Sequence, residues 1–378
     1  MARVRFSDVV KRVNVFVDRE QTDLLYYVGG EHIDSDTFMV RKKGLIKGAT
    51  IGYKFHFGFQ PGHILFMSRN PHLRKCSMVD FAGVCSDSTY VVETRDENVL
   101  LQKYLLIEMQ SDRFWKWAEE NKSGSVNYLI NYCTLDSYEF DLPPIEEQRA
   151  LAEKLWAAND LKEKYQNLLA ATDEMLKAKF REAVDAAMAR KRFVKLGDVV
   201  SQGRPICYGI LMPGEEVPGG VPVIKVKDFP DGVIHLDALI HTSKEIDEDY
   251  KRSRLLSGDL ILSIRGTVGR VAEVPEELNG ANITQDTARI TVDPKYNAKY
   301  IRGVLESAPL QEEMMLNMRG VAIKGINIGF LRELLIPMSD RATQDQLAQI
   351  STAAEASKAE LKKSTASIDA VMKGLING

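Results

Sequence analysis

Apolar and small side chains recur at steps of three and four residues between positions 151 and 187. Side chains at this spacing share one face of a helix, so the pattern predicts a long amphipathic helix over 144–192. Pro143 and Pro144 stand at its start, where proline is tolerated because the first N–H groups have no acceptor within the helix. At 1.5 Å per residue, about 45 residues of helix would be about 65–70 Å long. The stripe consists of Leu151, Leu155, Ala158, Leu161, Tyr165, Leu168, Thr172 and Met175, then, after a small shift of phase, Leu176, Phe180, Val184 and Ala187.

A second and more regular stripe occupies the last forty or so positions of the chain. Its steps alternate between three and four residues, which is the heptad pattern of a coiled coil. Ser339 or Asp340 can cap the helix that the stripe predicts over about 340–376. The stripe consists of Leu347, Ile350, Ala354, Ser357, Leu361, Ser364, Ile368, Val371 and Leu375.

A long helix with a narrow apolar stripe needs a partner to be stable. The obvious partner of each helix is the other, and an approximate two-fold relation between the two halves of the chain would make the pair antiparallel. The alternative is that each helix packs separately on its own domain. For the paired arrangement, the sequence predicts an interface that contains Leu151, Leu155, Leu168, Phe180, Leu347, Ile350, Leu361 and Ile368.

The chain contains the same pattern twice. The segment from Gly62 to Arg69 resembles the segment from Gly258 to Arg265, and the two begin 196 positions apart. Ile130-Asn131 returns as Ile326-Asn327 at the same offset. A period this long indicates two copies of a whole domain with its connector, since the units of solenoid repeats span only about 20–50 residues. The predicted boundaries are a first domain over 1–143, a helix over 144–192, a second domain over 193–338 and a final helix over 339–378.

The domain segments have the alternation and punctuation of strands and turns. In the second domain, Arg265 to Arg270 is typical of a hairpin loop, and Gly320 to Asn327 is a glycine-punctuated loop with one lysine and one asparagine. The expected fold class is therefore α+β. Two globular mixed α/β domains form a pseudo-two-fold repeat and are separated by two long antiparallel helices that form a coiled coil.

Length and composition add further constraints. The 378 residues suffice for two or three domains, and 44% apolar with 27% charged residues is ordinary for a globular protein. No segment is apolar over the length that a membrane helix needs, and the N-terminus lacks an apolar signal segment, so we expect a cytoplasmic protein without membrane contact. The net charge of −3 means that any nucleic-acid-binding face must be local. The four cysteines lack metal-ligand spacing and predict reduced thiols.

Several segments together resemble the specificity (S) subunit of type I restriction–modification enzymes over essentially the whole chain. Leu142-Pro-Pro-Ile-Glu-Glu-Gln-Arg149 is similar to the family's start of the central helix, and Gly258 to Val271 is similar to its strand followed by an Arg-x-Gly-x-x-Gly loop. Asn282 to Thr287 and Gly320 to Pro337 match segments that follow. The first half departs from the pattern, because His63 stands where the second half has Asp259.

This resemblance implies a division of roles. Each domain is a target-recognition domain for one half of an asymmetric, bipartite site in double-stranded DNA. The helices hold the domains apart and dock two modification subunits, which bind S-adenosylmethionine and methylate adenine at N6. Restriction subunits join them to form the nuclease, and the specificity subunit carries neither a cofactor nor a metal. A rigid helix pair suits half-sites about one turn of the duplex, or 34–36 Å, apart.

Lysines, arginines and asparagines on or beside loops are the candidates for DNA contact. Arginine bonds bidentately to guanine and asparagine to adenine, whereas phosphate contacts contribute affinity without sequence information. The candidates in the first domain are Lys42, Lys43, Lys47, Arg69, Arg74, Asn127 and Asn131. Those in the second domain are Lys225, Lys227, Arg265, Thr267, Arg270, Lys324 and Asn327.

Two other classes of function stay open at this stage. One is a standalone methyltransferase or nuclease with its own target recognition, and the other is a coiled-coil adaptor that does not read DNA. Against the enzyme, Asp141-Leu142-Pro143-Pro144 has an intervening leucine and no aromatic residue, unlike an amino-methyltransferase loop. Asp231, Asp249 and Lys251 resemble a nuclease constellation only superficially, since Asp231-Gly232 is typical of a turn and the other two lie in a charge run. The sequence therefore predicts a subunit without catalytic residues.

Overall fold

The structure is a computed structural model that describes residues 2–18, 20–318 and 325–378. The chain divides into two compact units. Unit 1 comprises residues 1–167 and 362–378, and unit 2 comprises residues 168–361. Both long helices pass from one unit into the other, because their spans include the boundaries between the units. The domain boundaries predicted from the sequence stay a prediction.

Unit 1 contains most of the strands. Its elements are β1 (Ala2–Arg5), α1 (Phe6–Val9), β2 (Val10–Arg12), β3 (Val15–Phe16), β4 (Tyr26–Val28), β5 (Gly44–Leu45), β6 (Phe55–Phe59), β7 (Ile64–Met67), β8 (Cys76–Met78), β9 (Gly83–Ser86), β10 (Thr89–Thr94), α2 (Gln102–Gln110), α3 (Asp112–Glu120), α4 (Tyr132–Asp136), β11 (Glu139–Leu142) and the start of α5 (Ile145–Ala189). A four-stranded sheet has the order β2-β10-β7-β8, and a five-stranded sheet has the order β3-β6-β9-β4-β5. Strands β1 and β11 pair separately next to the start of α5.

Unit 2 repeats this plan with a smaller second sheet. Its elements are β12 (Phe193–Lys195), α6 (Leu196–Val199), β13 (Cys207–Tyr208), β14 (Val221–Ile224), β15 (Ile240–Thr242), α7 (Lys244–Asp249), β16 (Leu260–Ser263), β17 (Val271–Glu273), β18 (Asn282–Ile283), β19 (Thr287–Ile290), α8 (Ala298–Leu305), α9 (Ala308–Leu316), α10 (Ile328–Glu333), β20 (Leu335–Pro337) and α11 (Arg341–Asn377). The four-stranded sheet is β13-β19-β16-β17, and the second sheet is β15-β14-β18.

The repeat in the sequence is also a repeat in structure, as predicted. Strands β7 and β16 both begin with the residue two positions after the repeated glycine, and α2/α8, α3/α9 and α4/α10 correspond at the same offset. Each second sheet contains one parallel pair, β4 with β9 in unit 1 and β14 with β18 in unit 2. Only unit 1 adds β3 and β6 to that sheet. The two domains therefore share a scaffold and differ in the sheet that it supports.

A buried glutamine fixes the start of each long helix. The Gln148 side chain accepts a hydrogen bond from the Leu101 N–H at 3.0 Å and donates to the carbonyls of Val99 and Pro143, both at 2.9 Å. Gln344 occupies the corresponding place in unit 2, where it accepts from the Asn297 N–H at 2.9 Å and donates to a carbonyl just before α11. Both side chains are buried, so each helix is tied to its own domain by satisfied polar contacts.

The long helices are antiparallel where they contact within each unit. In unit 1, Leu155 near the start of α5 shares a core with Met372 near the end of α11, and Lys162 pairs with Asp369 at 2.5 Å. In unit 2, Asp173 forms an ion pair with Lys358. As the residue number on α5 increases from one contact to the next, the residue number of its partner on α11 decreases. The predicted antiparallel contact is thus confirmed, and the bounds 145–189 and 341–377 agree with the expected ones to within three residues.

The residues predicted for the helix interface differ in burial, and the interface stays a prediction. Leu155, Phe180 and Leu347 are buried, and Leu151, Ile350, Leu361 and Ile368 are partly buried, but half of the Leu168 side chain is exposed. On α11, Met372 is buried while its neighbour Val371 points to solvent. An α-helix drifts in phase relative to a strict heptad, so a run of adjacent apolar residues does not specify which of them faces the partner. Leu161 and Met175, both assigned to the same stripe as Leu168, are also more than 40% exposed.

No helix among the described residues is long and apolar enough to cross a membrane.

Gly303 in α8 provides a test of how tightly unit 2 packs against α5. A Cβ atom at Gly303 would lie 2.2 Å from the Phe180 ring, so Gly303→Ala should destabilise the protein by about 1–3 kcal/mol through overpacking. The matched control is Gly374→Ala in α11, where no atom lies within 4 Å of the added Cβ and the higher helix propensity of alanine should be neutral or stabilising. Thermal unfolding followed by circular dichroism measures both. Equal melting temperatures for the two variants would contradict the close contact.

Candidate nucleic-acid interface

Arg69 leads a group of predicted DNA-contact residues in unit 1. It lies two residues after the end of β7, is exposed, and forms a backbone bridge with Leu129. Leu129 is also bridged to Ser123, whose hydroxyl accepts a hydrogen bond from the Asn131 side chain at 3.2 Å. Asn127 lies exposed in the loop between these two bridged positions. The fold therefore brings Arg69, Asn127 and Asn131 onto neighbouring segments.

A cavity of about 420 Å³ opens beside Arg69. It lies where several strands end, since its walls include the residues just after β4, just before β6 and in the turn between β9 and β10. Tyr53, Lys54 and Asp87 line it together with Arg69. The Tyr53 side chain is 79% exposed, so an aromatic ring and two cations face solvent at one edge of the unit. The sequence analysis did not select Tyr53 or Lys54.

The three predicted lysines flank β5, which pairs antiparallel with β4: Lys42 and Lys43 come just before β5, and Lys47 follows it. Lys42 pairs with Asp34 at 2.6 Å. The Lys43 ammonium lies 4.0 Å from the centre of the Tyr26 ring, a cation–π contact, and Lys47 is exposed.

Arg74 forms several contacts within unit 1. Its backbone has φ = 50°, a left-handed conformation, and its guanidinium forms ion pairs with Asp36 at 2.8 Å and Asp112 at 2.7 Å. The guanidinium also donates to the carbonyl of Gln110 at 2.9 Å. These contacts brace the loop after β7 against the start of α3. Arg74 is therefore paired within unit 1, and its predicted contact with DNA stays a prediction.

Arg265 occupies in unit 2 the position of Arg69 in unit 1. It follows β16, forms a backbone bridge with Gly325, and about half of its side chain is exposed. Its guanidinium donates to the Gln285 side chain at 2.9 Å and lies 3.8 Å from Asp286. The repeat equivalent of Gly325 is Leu129, so both arginines are anchored by the same bridge. The sequence analysis missed Gln285, although a Gln-Asp turn between β18 and β19 is a signal that could have identified it.

The loop after Arg265 is closed by Ser263. The Ser263 hydroxyl donates to the carbonyl of Thr267 at 2.5 Å and accepts from the Arg270 N–H at 2.9 Å. Thr267 is exposed at the tip, and Arg270 is partly buried at the base of the hairpin. The predicted hairpin is therefore present, and it presents Arg265 and Thr267 on one side of a short, well-bonded turn.

The remaining candidates of unit 2 differ in their surroundings. Lys225 and Lys227 follow the end of β14, where the Lys225 N–H is bonded to the buried Asp228 carboxylate at 2.8 Å. Lys227 is exposed. Asn327 caps α10, because its side-chain oxygen accepts the Phe330 N–H at 2.8 Å. Lys324 lies outside the described residues.

At one pair of equivalent positions, the acidic residue comes second in unit 1 and first in unit 2. His63 lies 3.4 Å from Glu93 in unit 1, whereas their repeat equivalents in unit 2 are Asp259 and Arg289. Burial lowers the pKa of His63 below its ordinary value, and the neighbouring Glu93 carboxylate opposes that shift. Asp259 pairs instead with Arg204 at 2.9 Å. The replacement of aspartate by histidine noted in the sequence is thus part of a compensated change inside the scaffold.

The described residues hold no group of three or more His, Cys, Asp and Glu side chains that could bind a metal ion. Asp231, one of the carboxylates considered for a nuclease site, accepts a hydrogen bond from the Val233 N–H at 3.3 Å and lies 3.2 Å from a ring nitrogen of His235. Gly232 has φ = 76°, so this aspartate belongs to a turn, as its sequence predicts.

Comparisons with known proteins agree on one family. No family model matches the chain. It is 27% identical over 305 residues to the specificity subunit of the type I restriction enzyme EcoBI from Escherichia coli, which covers 70% of this chain and 64% of that protein. It is 24% identical over 147 residues to the EcoDI specificity subunit from Escherichia coli, which covers 38% of this chain and 32% of that protein. The matched region spans less than two thirds of either relative.

Two solved structures have the same fold. One is the S subunit of a type I restriction–modification system from M. genitalium, with a TM-score of 0.63 and 12% identity over 99% of this chain and 94% of that chain. The other is a chain from a study of complex assembly and conformational transition in the type I R-M system, with a TM-score of 0.52 and 18% identity over 99% and 96% of the two chains. The resemblance to type I specificity subunits predicted from the sequence is therefore confirmed in sequence and in fold.

Proposed function

We propose that this chain is the DNA-recognition subunit of a type I restriction–modification complex. Each unit reads one half of an asymmetric bipartite site in double-stranded DNA, and the chain itself has no catalytic role. The observation that carries this proposal is the pair Arg69 and Arg265. Each follows the same strand of the shared scaffold and has the same backbone bridge, while the second sheets and the nearby side chains differ. A common scaffold that presents an arginine in two different surroundings suits two domains that recognise different base sequences.

Support for protein partners comes from the outer face of α5. Leu161, Leu168 and Met175 are spaced seven residues apart and are 41%, 50% and 45% exposed. Exposed apolar residues aligned along one helix favour contact with another protein. In this proposal they belong to the docking surface for two modification subunits, which bind S-adenosylmethionine and methylate adenine at N6. Restriction subunits complete the complex in the cytoplasm.

The deciding experiment expresses the chain together with a modification subunit from the same host and maps N6-methyladenine across the host genome. We expect one asymmetric motif with two specified halves and a fixed spacer, which disappears when this chain is omitted. Methylation or cleavage by the purified chain alone would favour the standalone enzyme. Assembly with the partner without any motif would favour the adaptor.

Leu168→Arg tests the docking surface. A charge at this position should prevent assembly with the modification subunit and leave the melting temperature of the chain unchanged, because the side chain is already half exposed. Gel filtration of the coexpressed proteins measures assembly. The control is Gln166→Arg, which places the same charge on an exposed position of the same helix. Normal assembly of the Leu168→Arg chain would exclude this face as the docking surface.

A further inference from the structure

Each unit exposes two consecutive apolar side chains at the same place in its scaffold. In unit 1 these are Val15 and Phe16, which are 55% and 73% exposed. In unit 2 they are Leu211 and Met212, which are 52% and 77% exposed. The two pairs are 196 positions apart, and the strands before them have the same register, with Arg12 opposite Val92 and Tyr208 opposite Ala288.

In unit 1 the apolar pair is joined to the cavity beside Arg69. Phe16 lies in β3 at the edge of the five-stranded sheet, opposite Phe57 of β6. Its ring is stacked on the His56 ring, with 5.2 Å between centroids and 4° between planes. The two residues before His56 are Phe55 and Lys54, and both line the cavity with Arg69. Phe16 therefore contacts the residue of β6 that directly follows the cavity wall.

In unit 2 the apolar pair is joined to Arg265 by a short chain of hydrogen bonds. The Gln285 N–H donates to the carbonyl of Ile210 at 2.9 Å, and the Gln285 side chain accepts from Arg265 at 2.9 Å. Ile210 is buried and is followed directly by Leu211 and Met212. The loop thus buries its first apolar residue and exposes the next two beside the arginine.

Exposed apolar residues scattered singly are normal, but the same pair at equivalent places in two diverged domains points to a contact. Each unit has an exposed arginine at the equivalent position, Arg69 or Arg265, and the proposed function makes DNA the occupant, although Glu31 and Asp87 also line the cavity of unit 1. In the major groove of DNA, arginine is the commonest partner of guanine, and the 5-methyl group of thymine is the one apolar feature that a side chain can read there. A phenylalanine or methionine next to an arginine suits that combination.

We propose that the pairs Val15-Phe16 and Leu211-Met212 are specificity-determining residues that contact thymine methyl groups, one in each half-site, next to the bases contacted by Arg69 and Arg265. This inference rests on the proposed DNA-recognition function and adds a base class to it. Phe16 and Met212, the more exposed member of each pair, carry the main contact.

The test uses the complex with its modification subunits and a duplex that carries the motif found by methylation mapping. Each thymine in turn is replaced by deoxyuridine, which lacks only the methyl group. Loss of one buried methyl should weaken wild-type binding about fourfold at one position of each half-site. Phe16→Ala should bind the unmodified duplex more weakly and show no further loss at the first-half position. Met212→Ala should behave likewise for the second half. Val99→Ala, which also removes an exposed apolar side chain, should respond like the wild type.

Three results would overturn the inference. Wild-type binding that is insensitive to deoxyuridine at every thymine excludes methyl reading. Variants that remain as sensitive as the wild type place the contact elsewhere. Failure of the Phe16→Ala and Met212→Ala chains to assemble with the modification subunits, at unchanged melting temperature, would identify the pairs as protein contacts. Failure of the proposed function itself is distinct, because the wild-type complex would then show no motif.

Discussion

Gln148→Leu is expected to lower the free energy of unfolding by about 3–5 kcal/mol, because a buried, unpaired polar group costs roughly 1–3 kcal/mol. Leucine would leave the Leu101 N–H and the carbonyls of Val99 and Pro143 without their present partner. The Gln148 side chain is fully buried, so solvent cannot replace those bonds without opening the helix start. Hydrogen exchange of unit 1 is the suitable measurement, since a chain with two compact units need not unfold in one step.

Two further variants isolate this effect. Gln166→Leu makes the same chemical change at an exposed position of α5 and should change stability by no more than about 0.5 kcal/mol. Gln344→Leu removes the corresponding contacts of unit 2 and should raise hydrogen exchange there and not in unit 1. A loss below 1 kcal/mol in Gln148→Leu would mean that the β1–β11 pair, and not the glutamine, anchors the helix.

The sequence places these glutamines at the starts of the two long helices, but it does not indicate that they are buried and hydrogen-bonded there. Gln148 lies in the segment that resembles the family's helix start, and Gln344 lies 196 positions later. Polar residues next to prolines and acidic residues at a helix start normally predict a solvated first turn. The polar contacts that satisfy buried Gln148 include the Val99 carbonyl and the Leu101 N–H, which only the tertiary fold brings to the helix start.

The long helices were the most predictable elements, because apolar spacing that persists over many helical turns rarely arises by chance. Their bounds, antiparallel contact and several buried positions agree with the pattern. Leu168 and Leu169 are both apolar, so the pattern alone does not specify which of them faces the partner helix. The exposed set Leu161, Leu168 and Met175 illustrates that a single predicted stripe can contain two surfaces.

The site was less predictable than the scaffold. The offset of 196 residues identified Arg69 and Arg265 as equivalent, and the structure gives both the same backbone bridge. Arg74 looked equally suitable in sequence, yet two carboxylates distant in the chain engage it. The apolar pair in β3 escaped notice because two-residue strands have no periodicity. The contacts of a side chain with residues distant in the sequence can be identified only from the three-dimensional structure.

Arg265→Ala should relax one base position in one half-site and leave the other half-site unchanged. An arginine bound bidentately to guanine contributes about 1–3 kcal/mol of discrimination, so the preference for that base should fall roughly 5- to 150-fold. The Arg265 guanidinium is held by Gln285 at 2.9 Å and remains half exposed, so it is oriented and accessible. Methylation mapping of cells that carry the variant complex measures the change at every position of the motif.

Lys227→Ala is the matched comparison, because it removes an exposed cation from the same unit. A phosphate contact carries no sequence information, so its loss should weaken binding to all sequences alike and reduce the slope of log affinity against log salt by about 1. Arg69→Ala should relax one position in the opposite half-site from Arg265→Ala. If Arg265→Ala instead relaxed base preference equally in both half-sites while the chain stayed folded, two independent recognition domains could not account for the specificity. The arginines would then act through a property of the whole complex.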